Sequence, residues 1–337
     1  MNRASLLIAG MRRARVVVVG DLIADQFISG SVSRMSREAP VLILKYDTTT
    51  IVPGGAGNAA ANAAALGGRV DVVGLVGRDD EGRRLLKALP RGANLRGVTR
   101  AAGYTTPVKT RILAGGVHSA KQQVVRIDRI GAPVTDAMRK RVQSSLSRAA
   151  RGADAIIVSD YGSGVINAAM VRHALRRAGR RKPIVLVDSR YAMLSFKGMT
   201  ATTPNESEVE AQLGVTIGND LGALERAGRA LLKKTRAQSV LVTRGSRGMA
   251  LFEAGRRTQH IPIVGSDEVA DVTGAGDTVI AAFALALAAG ASSTEAAHLA
   301  NHAGGLVVMK RGTATVSRVE LAASVAADGD PAGVFGG

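Results

Sequence analysis

The stretch Asp271-Val272-Thr273-Gly274-Ala275-Gly276-Asp277-Thr278 is followed at once by an apolar, alanine-rich run that extends from Val279 to Gly290. The run contains no proline and is rich in strong helix formers, so it predicts a buried helix that begins near the glycines. Glycines at a helix start leave backbone N–H groups free at the positive end of the helix dipole, where proteins often bind phosphate. The stretch therefore predicts an anion-binding site at the start of a buried helix.

Asp277 lies in the first turn of this predicted helix. The helix dipole stabilises a carboxylate there by about 0.3–1 kcal/mol, so we expect Asp277 to be ionised at neutral pH. Such a carboxylate can accept a hydroxyl proton while the neighbouring amides stabilise a transferring phosphoryl group. The same residues also fit a helix cap on a glycine-rich turn that has no chemistry. The stretch alone leaves both interpretations open.

Composition limits the class of protein. The 337 residues are enough for one large domain, or for one domain with a small addition. Cysteine is absent, which excludes disulfides and thiolate metal sites. No apolar run reaches the length of a membrane span, and the short apolar segment at 6–10 has its arginines on the wrong side for a secretory signal. We therefore expect a cytoplasmic protein that does not bind membranes.

The formal net charge of +18 is unusual for an α/β protein. A strongly basic chain can bind nucleic acid, a membrane surface or small anionic substrates. The basic residues are spread along this sequence, and no stacking aromatic side chains are interleaved with them. The charge pattern favours phosphorylated small substrates, and we expect no nucleic-acid partner.

The stretch DVTGAGDT resembles the carboxy-terminal signature of the PfkB, or ribokinase-like, carbohydrate kinases. The resemblance implies a three-layer α/β/α fold with a mainly parallel sheet and a small β-sheet lid over the sugar. It also implies that Asp277 is the catalytic base and that the amides of Gly274, Ala275 and Gly276 form the anion hole. The first residue of the signature, Asp271, is assigned to the nucleotide site.

The amino-terminal part of the chain carries further matches to this family. The β-branched run 15–21 predicts a central parallel strand, and ligands of open α/β sheets collect at the carboxyl ends of such strands. Asp25 follows this run; it also fits a turn, but the resemblance implies that it holds the sugar. The stretch 53–62 matches the amino-terminal signature of the family. Its residues implied to approach or bind the sugar are Gly54, Gly55 and Asn58.

The stretch Ser33-Arg34-Met35-Ser36-Arg37-Glu38-Ala39-Pro40-Val41 predicts a polar loop with two arginines that suit a phosphate monoester. It resembles bacterial D-glycero-β-D-manno-heptose 7-phosphate kinases, which form the kinase part of a bifunctional enzyme, although Arg37 replaces the usual proline. Arg34 is therefore a candidate for the distal phosphate of the sugar. Lys109 and Arg111 alternate onto one face of a predicted lid strand and are candidates for the same role. They also fit the solvated side of a sheet.

The stretch Ser159-Asp160-Tyr161-Gly162 matches the same kinases and makes Asp160 a substrate-binding candidate. Two departures accompany it, because Ser163 stands where these kinases usually carry lysine, and Ser189-Arg190 stands where they carry Pro-Lys. We predict one kinase domain over residues 1–325, with lid strands from about 27–46 and 96–128. The small, glycine-rich segment 326–337 predicts a disordered tail.

The nucleotide site is predicted from the second half of the chain. Pro204 opens a helix in which Asn205 and Glu208 lie one turn apart, where they can order waters around Mg²⁺ or form a plain helix start. Neither the G-x-G-x-x-G of a dinucleotide fold nor the lysine of a P-loop occurs in the chain. The residues that the resemblance assigns to ATP are Asn205, Thr243, Gly245, Gly248 and Asn301.

The resemblance implies phosphorylation of the anomeric hydroxyl of a heptose 7-phosphate by ATP with Mg²⁺, giving the 1,7-bisphosphate, within nucleotide-activated heptose biosynthesis. Exposed lid edges predict a homodimer. No nucleotidyltransferase part is recognisable in the chain, so we expect a stand-alone kinase. Two alternatives stay open. One is another PfkB kinase that acts on ribose, fructose or a nucleoside, and the other is a non-catalytic sugar-phosphate sensor.

Overall fold

The structure is a computed structural model that describes residues 2–115, 121–179, 182–265, 271–310, 312–329 and 333–336. The α-helices of these residues are α1 (Arg3–Gly10), α2 (Ala56–Ala65), α3 (Asp80–Ala88), α4 (Asp136–Ala149), α5 (Ala168–Arg177), α6 (Glu206–Leu213), α7 (Leu221–Thr235), α8 (Ala275–Ala288), α9 (Ser293–Val308) and α10 (Arg318–Asp328). The strands are β1 (Arg15–Met35), β2 (Leu42–Gly55), β3 (Arg69–Gly77), β4 (Asn94–Ala101), β5 (Val108–Gly115), β6 (Gln122–Arg129), β7 (Ala155–Asp160), β8 (Ile184–Ser189), β9 (Ala201–Thr202), β10 (Ser239–Thr243), β11 (Met249–Glu253) and β12 (Gln259–Ile261).

The central sheet has the strand order β12-β11-β10-β9-β8-β7-β1-β3-β4. The strands from β10 to β4 are parallel, and β11 and β12 complete one edge as antiparallel strands. Strand β7 is buried along its whole length, as expected for a parallel strand covered on both faces. Helices α1, α2, α8, α9 and α10 pack on one face of the sheet, and α4, α5 and α7 pack on the other. The predicted three-layer α/β/α fold is confirmed.

Strand β1 belongs to two sheets. Residues up to Asp21 pair with β3 and β7 in the central sheet, and residues from Leu22 onward pair with β2 in the lid. Strand β5 pairs with β1 and with β6, so the lid order is β2-β1-β5-β6. Register shifts next to Gly30 and Arg34 interrupt the β1–β2 ladder. Such irregularities typically bend a strand.

The predicted boundaries of the lid need correction. The lid part of β1 starts at Leu22 rather than at residue 27, and β4, expected in the lid, pairs with β3 in the central sheet. The predicted loop 33–41 is also shorter than expected, because β1 continues to Met35 before β2 begins at Leu42. Backbone pairing with β2 holds this polar sequence as a strand, which local composition does not reveal.

Helix α8 is the predicted buried helix. Its residues from Asp277 to Ala286 are all buried, and Gly274 caps its start with a φ of 79°. A Cβ atom at position 274 would lie 2.4 Å from the side-chain nitrogen of Asn58, so both backbone conformation and space require glycine there. The start of α8 is therefore held tightly against α2.

The C-terminal segment is more ordered than predicted. Helix α10 continues to Asp328, and Phe335 is 8% exposed within the core cluster on the α8 side of the sheet. The prediction of a disordered 326–337 tail is therefore wrong for these residues, because one aromatic side chain anchors a segment of small residues. Residues 330–332 and 337 lie outside the described part of the chain. Among the helices that are described, none has the length and apolarity to span a bilayer.

Candidate active site

The two family signatures meet at the carboxyl end of the sheet. Asn58 donates from Nδ2 to Asp277 Oδ2 at 2.9 Å and to the Gly274 carbonyl at 3.3 Å. Asn62, one turn later on α2, donates to Asn58 Oδ1 at 3.1 Å and fixes the orientation of that amide. Asn58 was predicted to bind sugar hydroxyls. In the structure the amide nitrogen of Asn58 is directed at Asp277, and its binding of sugar hydroxyls stays a prediction.

Asp277 is 4% exposed, and burial raises its pKa to about 7. The hydrogen bond from Asn58 and the charge of Lys109 oppose this rise, whereas the negative charge of Asp25 adds to it. The expectation that the helix dipole keeps Asp277 fully ionised at neutral pH is therefore wrong, because loss of hydration outweighs the dipole. A base whose pKa lies near the working pH is well matched to proton abstraction.

Asp25 and Arg111 form a buried ion pair on the lid side of Asp277. Arg111 Nη1 lies 2.8 Å from Asp25 Oδ1, and the two side chains are 10% and 8% exposed. The Arg111 guanidinium also stacks on Phe27, with 5.4 Å between its central carbon and the ring centroid. In the structure Arg111 holds the carboxylate of Asp25, and its predicted contact with a distal phosphate stays a prediction.

The glycine pair of the amino-terminal signature surrounds the same carboxylate. A Cβ atom at Gly54 would lie 2.5 Å from Asp25 Oδ2, and a Cβ atom at Gly55 would lie 2.5 Å from the Asp21 carbonyl. Gly55 also has a φ of 55°, which side chains rarely adopt. The glycines therefore bring the backbone close to the Asp25 carboxylate and the Asp21 carbonyl, and the predicted approach of this backbone to the sugar stays a prediction.

The three predicted phosphate-binding cations lie in different places. Lys109 Nζ lies 4.6 Å from the centroid of the Tyr161 ring, and burial lowers its pKa. Its charge acts on both Asp25 and Asp277, so it lies on the reacting side of the sugar site. Arg34 is exposed near the far end of β1, nine positions after Asp25, which is about 30 Å of strand. The structure does not bring Arg34 together with Asp25 within one chain.

Two buried carboxylates shape the turn that follows β7. Asp160 accepts hydrogen bonds from the Gly162 amide at 3.0 Å and from Ser189 Oγ at 2.7 Å. Asp21 Oδ2 accepts from the amides of Tyr161 at 2.8 Å and Ser163 at 3.1 Å, and burial raises the pKa of Asp21 to about 6. The carboxylate of Asp160 therefore supports this turn, and its contact with substrate stays a prediction.

A cavity of about 480 Å³ opens on the other side of Asp277, which is a common size for a small-molecule site. The predicted base, anion-hole and nucleotide residues all line it, except Asp271. These lining residues are Asn205, Glu208, Thr243, Gly245, Gly248, Gly274, Ala275, Gly276, Asp277 and Asn301. Sequence reasoning assigned no role to three further lining residues, Tyr161, Asp188 and Thr203. Each of them lies at or just after the end of a strand, and that position was the available signal.

Asn205 and Glu208 form a capping box at the start of α6. Asn205 Oδ1 accepts from the Glu208 amide at 2.9 Å, and Glu208 Oε2 accepts from the Asn205 amide at 3.0 Å. The helix-start interpretation is therefore correct, and both residues also line the cavity. Burial raises the pKa values of Glu208 and Asp188, and their mutual repulsion raises that of Asp188 further. Carboxylate and amide oxygens in one cavity fit the preference of Mg²⁺ for hard oxygen ligands.

Asp271 and Asn301 support the cavity through the backbone. Asp271 accepts from the amides of Thr273 at 2.8 Å and Gly312 at 3.1 Å, which ties the loop before α8 to the segment after α9. Its predicted contact with the nucleotide stays a prediction. Asn301 donates from Nδ2 to the Pro262 carbonyl at 2.7 Å and lines the same cavity as Asp277.

The fold, the anion hole and the buried base together define a carbohydrate kinase. Residues 13–320 match the pfkB family carbohydrate kinase, and the chain belongs to that family. The predicted family resemblance is thus confirmed. Two solved structures share the fold. Arabidopsis thaliana ribokinase complexed with ribose and ATP gives a TM-score of 0.69 at 23% identity and covers 93% of this chain and 98% of its own. Phosphofructokinase-2 from Escherichia coli in complex with potassium gives a TM-score of 0.74 at 18% identity. The match covers 93% of this chain and 99% of that structure's chain.

Curated relatives with higher identity are named Bifunctional protein HldE. The protein from Gluconobacter oxydans is 40% identical over 320 residues, which cover 94% of this chain and 65% of that relative. The protein from Azorhizobium caulinodans is 40% identical over 329 residues, which cover 95% of this chain and 66% of that relative. The chain therefore spans slightly less than two thirds of the length of these relatives.

Proposed function

We propose that this protein transfers the γ-phosphoryl group of ATP to the anomeric hydroxyl of D-glycero-β-D-manno-heptose 7-phosphate and forms the 1,7-bisphosphate. One observation carries the proposal: the buried carboxylate of Asp277 lies between the 480 Å³ cavity and the Asp25–Arg111 ion pair. A base at the junction of two binding sites can activate a hydroxyl on one side towards a phosphate on the other. The choice of sugar is supported by the SRMSREAPV stretch and by the similarity to HldE proteins.

In the proposed reaction, the ATP phosphates lie at the start of α8 and the adenine lies towards Asn301. Asp277 takes the proton from the anomeric hydroxyl while the oxygen of that hydroxyl forms a bond to the γ-phosphorus. The bond from the γ-phosphorus to the β–γ bridging oxygen breaks, and ADP leaves. Amides at 274–276 stabilise the charge on the transferring group. Asn205 and Glu208 would hold Mg²⁺ through water, and the bound ion would neutralise charge on the phosphate oxygens.

On the sugar side, Asp25 accepts hydrogen bonds from the sugar hydroxyls, and Arg111 holds the carboxylate of Asp25 in its orientation. Lys109 places a positive charge between Asp25 and Asp277, so of the three cations predicted to bind phosphate it is the best placed to meet a substrate phosphate. Because ATP and sugar phosphates are cytoplasmic metabolites, we place the reaction in the cytoplasm.

The substrate is tested by measuring ADP release across a panel of sugars with and without a terminal phosphate. We expect heptose 7-phosphate to be used with a kcat/KM at least about 100-fold above that of free ribose, fructose or nucleosides. Comparable turnover of an unphosphorylated sugar would favour another PfkB kinase. Tight binding of sugar phosphates with no ADP release under any condition would favour a sensor.

We further propose that the protein forms a homodimer through the lid. Every residue of β6, an edge strand of the lid, is exposed. Unpaired edges and exposed apolar patches are typical of association surfaces. Large apolar side chains exposed on the lid strands are Val32 at 38%, Met35 at 54%, Leu42 at 45%, Tyr46 at 64%, Val124 at 42%, Val125 at 47% and Ile127 at 54%. A second copy of the lid would cover these side chains.

A further inference from the structure

Tyr161 follows β7 and lies between the two halves of the site. Its hydroxyl group donates to Asp277 Oδ1 at 3.4 Å, whereas Asn58 donates to Asp277 Oδ2 at 2.9 Å. Each carboxylate oxygen therefore has its own donor. The Tyr161 bond is long for a hydroxyl donor, and bonds of this kind in empty active sites commonly shorten when substrate binds.

The backbone of Tyr161 is fixed by the buried Asp21, which accepts its amide hydrogen. Its ring packs beside Gly55, where an added Cβ atom would lie 3.3 Å from Tyr161 Cε2. Burial raises the pKa of Tyr161 well above its usual value, so the hydroxyl stays protonated and remains a donor. Tyr161 is thus a rigid neutral donor aimed at the base.

The face of the Tyr161 ring contacts a lysine of the lid. Lys109, on β5, places Nζ 4.6 Å from the Tyr161 centroid, which is within cation–π range. Such contacts are stronger when the cation is shielded from water. Lys109 reaches Tyr161 from the lid, and Tyr161 directly follows strand β7 of the central sheet, so the ring lies where the two parts meet.

We propose that Tyr161 is a positioning residue. The Tyr161 hydroxyl orients Asp277, and the Tyr161 ring holds Lys109 of the lid in place. The two contacts link the position of the lid to the orientation of the base. The inference rests on the proposed function, because it takes Asp277 to be the base of a sugar kinase. Charged groups that act on Asp277 from other elements are Asp25 of β1 and Lys109 of β5, and Asp188 of β8 interacts with it.

The hydroxyl contact is tested with Tyr161→Phe, which keeps the ring. Loss of a donor to the ionised carboxylate raises the pKa of Asp277, so the acid limb of the kcat/KM profile should move up by about 0.5–1 pH unit. Turnover should fall several-fold at pH 7 and recover towards wild type at pH 9, and the KM of the sugar should change less than about twofold. A profile that superimposes on that of the wild type overturns this contact.

The ring contact is tested with Tyr161→Leu, which removes the aromatic face as well. The KM of the sugar phosphate should rise by at least about tenfold relative to Tyr161→Phe, because Lys109 loses its cation–π contact with the aromatic ring. Equal KM values in the two variants overturn the ring contact. Tyr191→Phe is the matched control, because Tyr191 is 66% exposed on the next loop and should leave both readouts unchanged.

The two hypotheses fail in different ways. A folded wild-type protein that phosphorylates no sugar contradicts the proposed function. An active wild type whose Tyr161 variants keep its pH profile and its KM contradicts only the inference about Tyr161. Circular dichroism melting of each variant identifies any that fails to fold, and the Phe variant then serves as the reference for the Leu variant.

Discussion

Asn58 and Asp277 are 219 residues apart in the chain and are joined by a 2.9 Å hydrogen bond. This bond connects α2, which starts after the lid strand β2, to α8, which carries the anion hole. It favours the ionised form of a carboxylate that burial would otherwise keep protonated. The amino-terminal signature thus contributes to the chemistry of the carboxy-terminal one.

Replacing Asp277 with asparagine should lower kcat by about 10²–10⁴-fold, because the asparagine amide cannot take the proton. Binding of ATP and of the sugar phosphate should stay within a few-fold of wild type, as measured by calorimetry. Near-normal turnover in Asp277→Asn would contradict the assignment of the base.

The same substitution makes a prediction about stability. The folded-state pKa of Asp277, about 7, lies above its ordinary 3.8, so this group lowers stability as the pH rises between those values. Asp277→Asn should therefore melt at a higher temperature than wild type at pH 8, and the difference should shrink towards pH 5. If Asp277→Asn melted at a lower temperature than wild type at pH 8, the result would contradict the conclusion that the buried charge of Asp277 lowers stability.

The rate should depend on pH through Asp277. Because the base must be ionised, wild-type kcat/KM should rise with pH through an acid limb near 7. Asn58→Ala removes the stronger donor and should move this limb upward by more than Tyr161→Phe does. A limb that stays in place in Asn58→Ala would show that the 2.9 Å bond does not tune the base.

Breaking the Asp25–Arg111 pair should be costly for folding as well as for binding. Arg111→Met leaves a buried carboxylate without its partner, and such changes typically cost about 3–5 kcal/mol in the free energy of unfolding. Urea denaturation measures this loss. Arg126→Met is the control, because the Arg126–Asp128 pair on β6 is exposed and should contribute about 1 kcal/mol or less. Equal losses in the two variants would contradict a special role for the buried pair.

The lid should control oligomeric state. Ile127→Lys introduces a charge into the exposed apolar surface of β6 and should convert a dimer to a monomer in light scattering at micromolar concentration. Val319→Lys makes the same chemical change on α10, where the valine is 74% exposed, and should leave the dimer intact. A wild-type protein that is monomeric at these concentrations would contradict the lid interface.

Local sequence predicted those features that depend on neighbouring residues. Glycines followed by an apolar run were enough to place the start of α8, and the valine-rich run at 15–21 was enough to place the central strand. The partners of Asn58 and Arg111 come from distant segments, so neither the family signature nor the alternation of side chains along a strand could predict these two contacts. Burial decides the pKa of Asp277, and burial depends on how α2, α8 and the lid pack together.

Strand β1 passes without a break from the central sheet into the lid. The central sheet and the lid therefore share one continuous strand, and no loop separates them along β1. Because the strand is shared, any movement of the lid relative to the central sheet must bend or twist β1, and the register shifts next to Gly30 and Arg34 mark where its pairing with β2 is already interrupted.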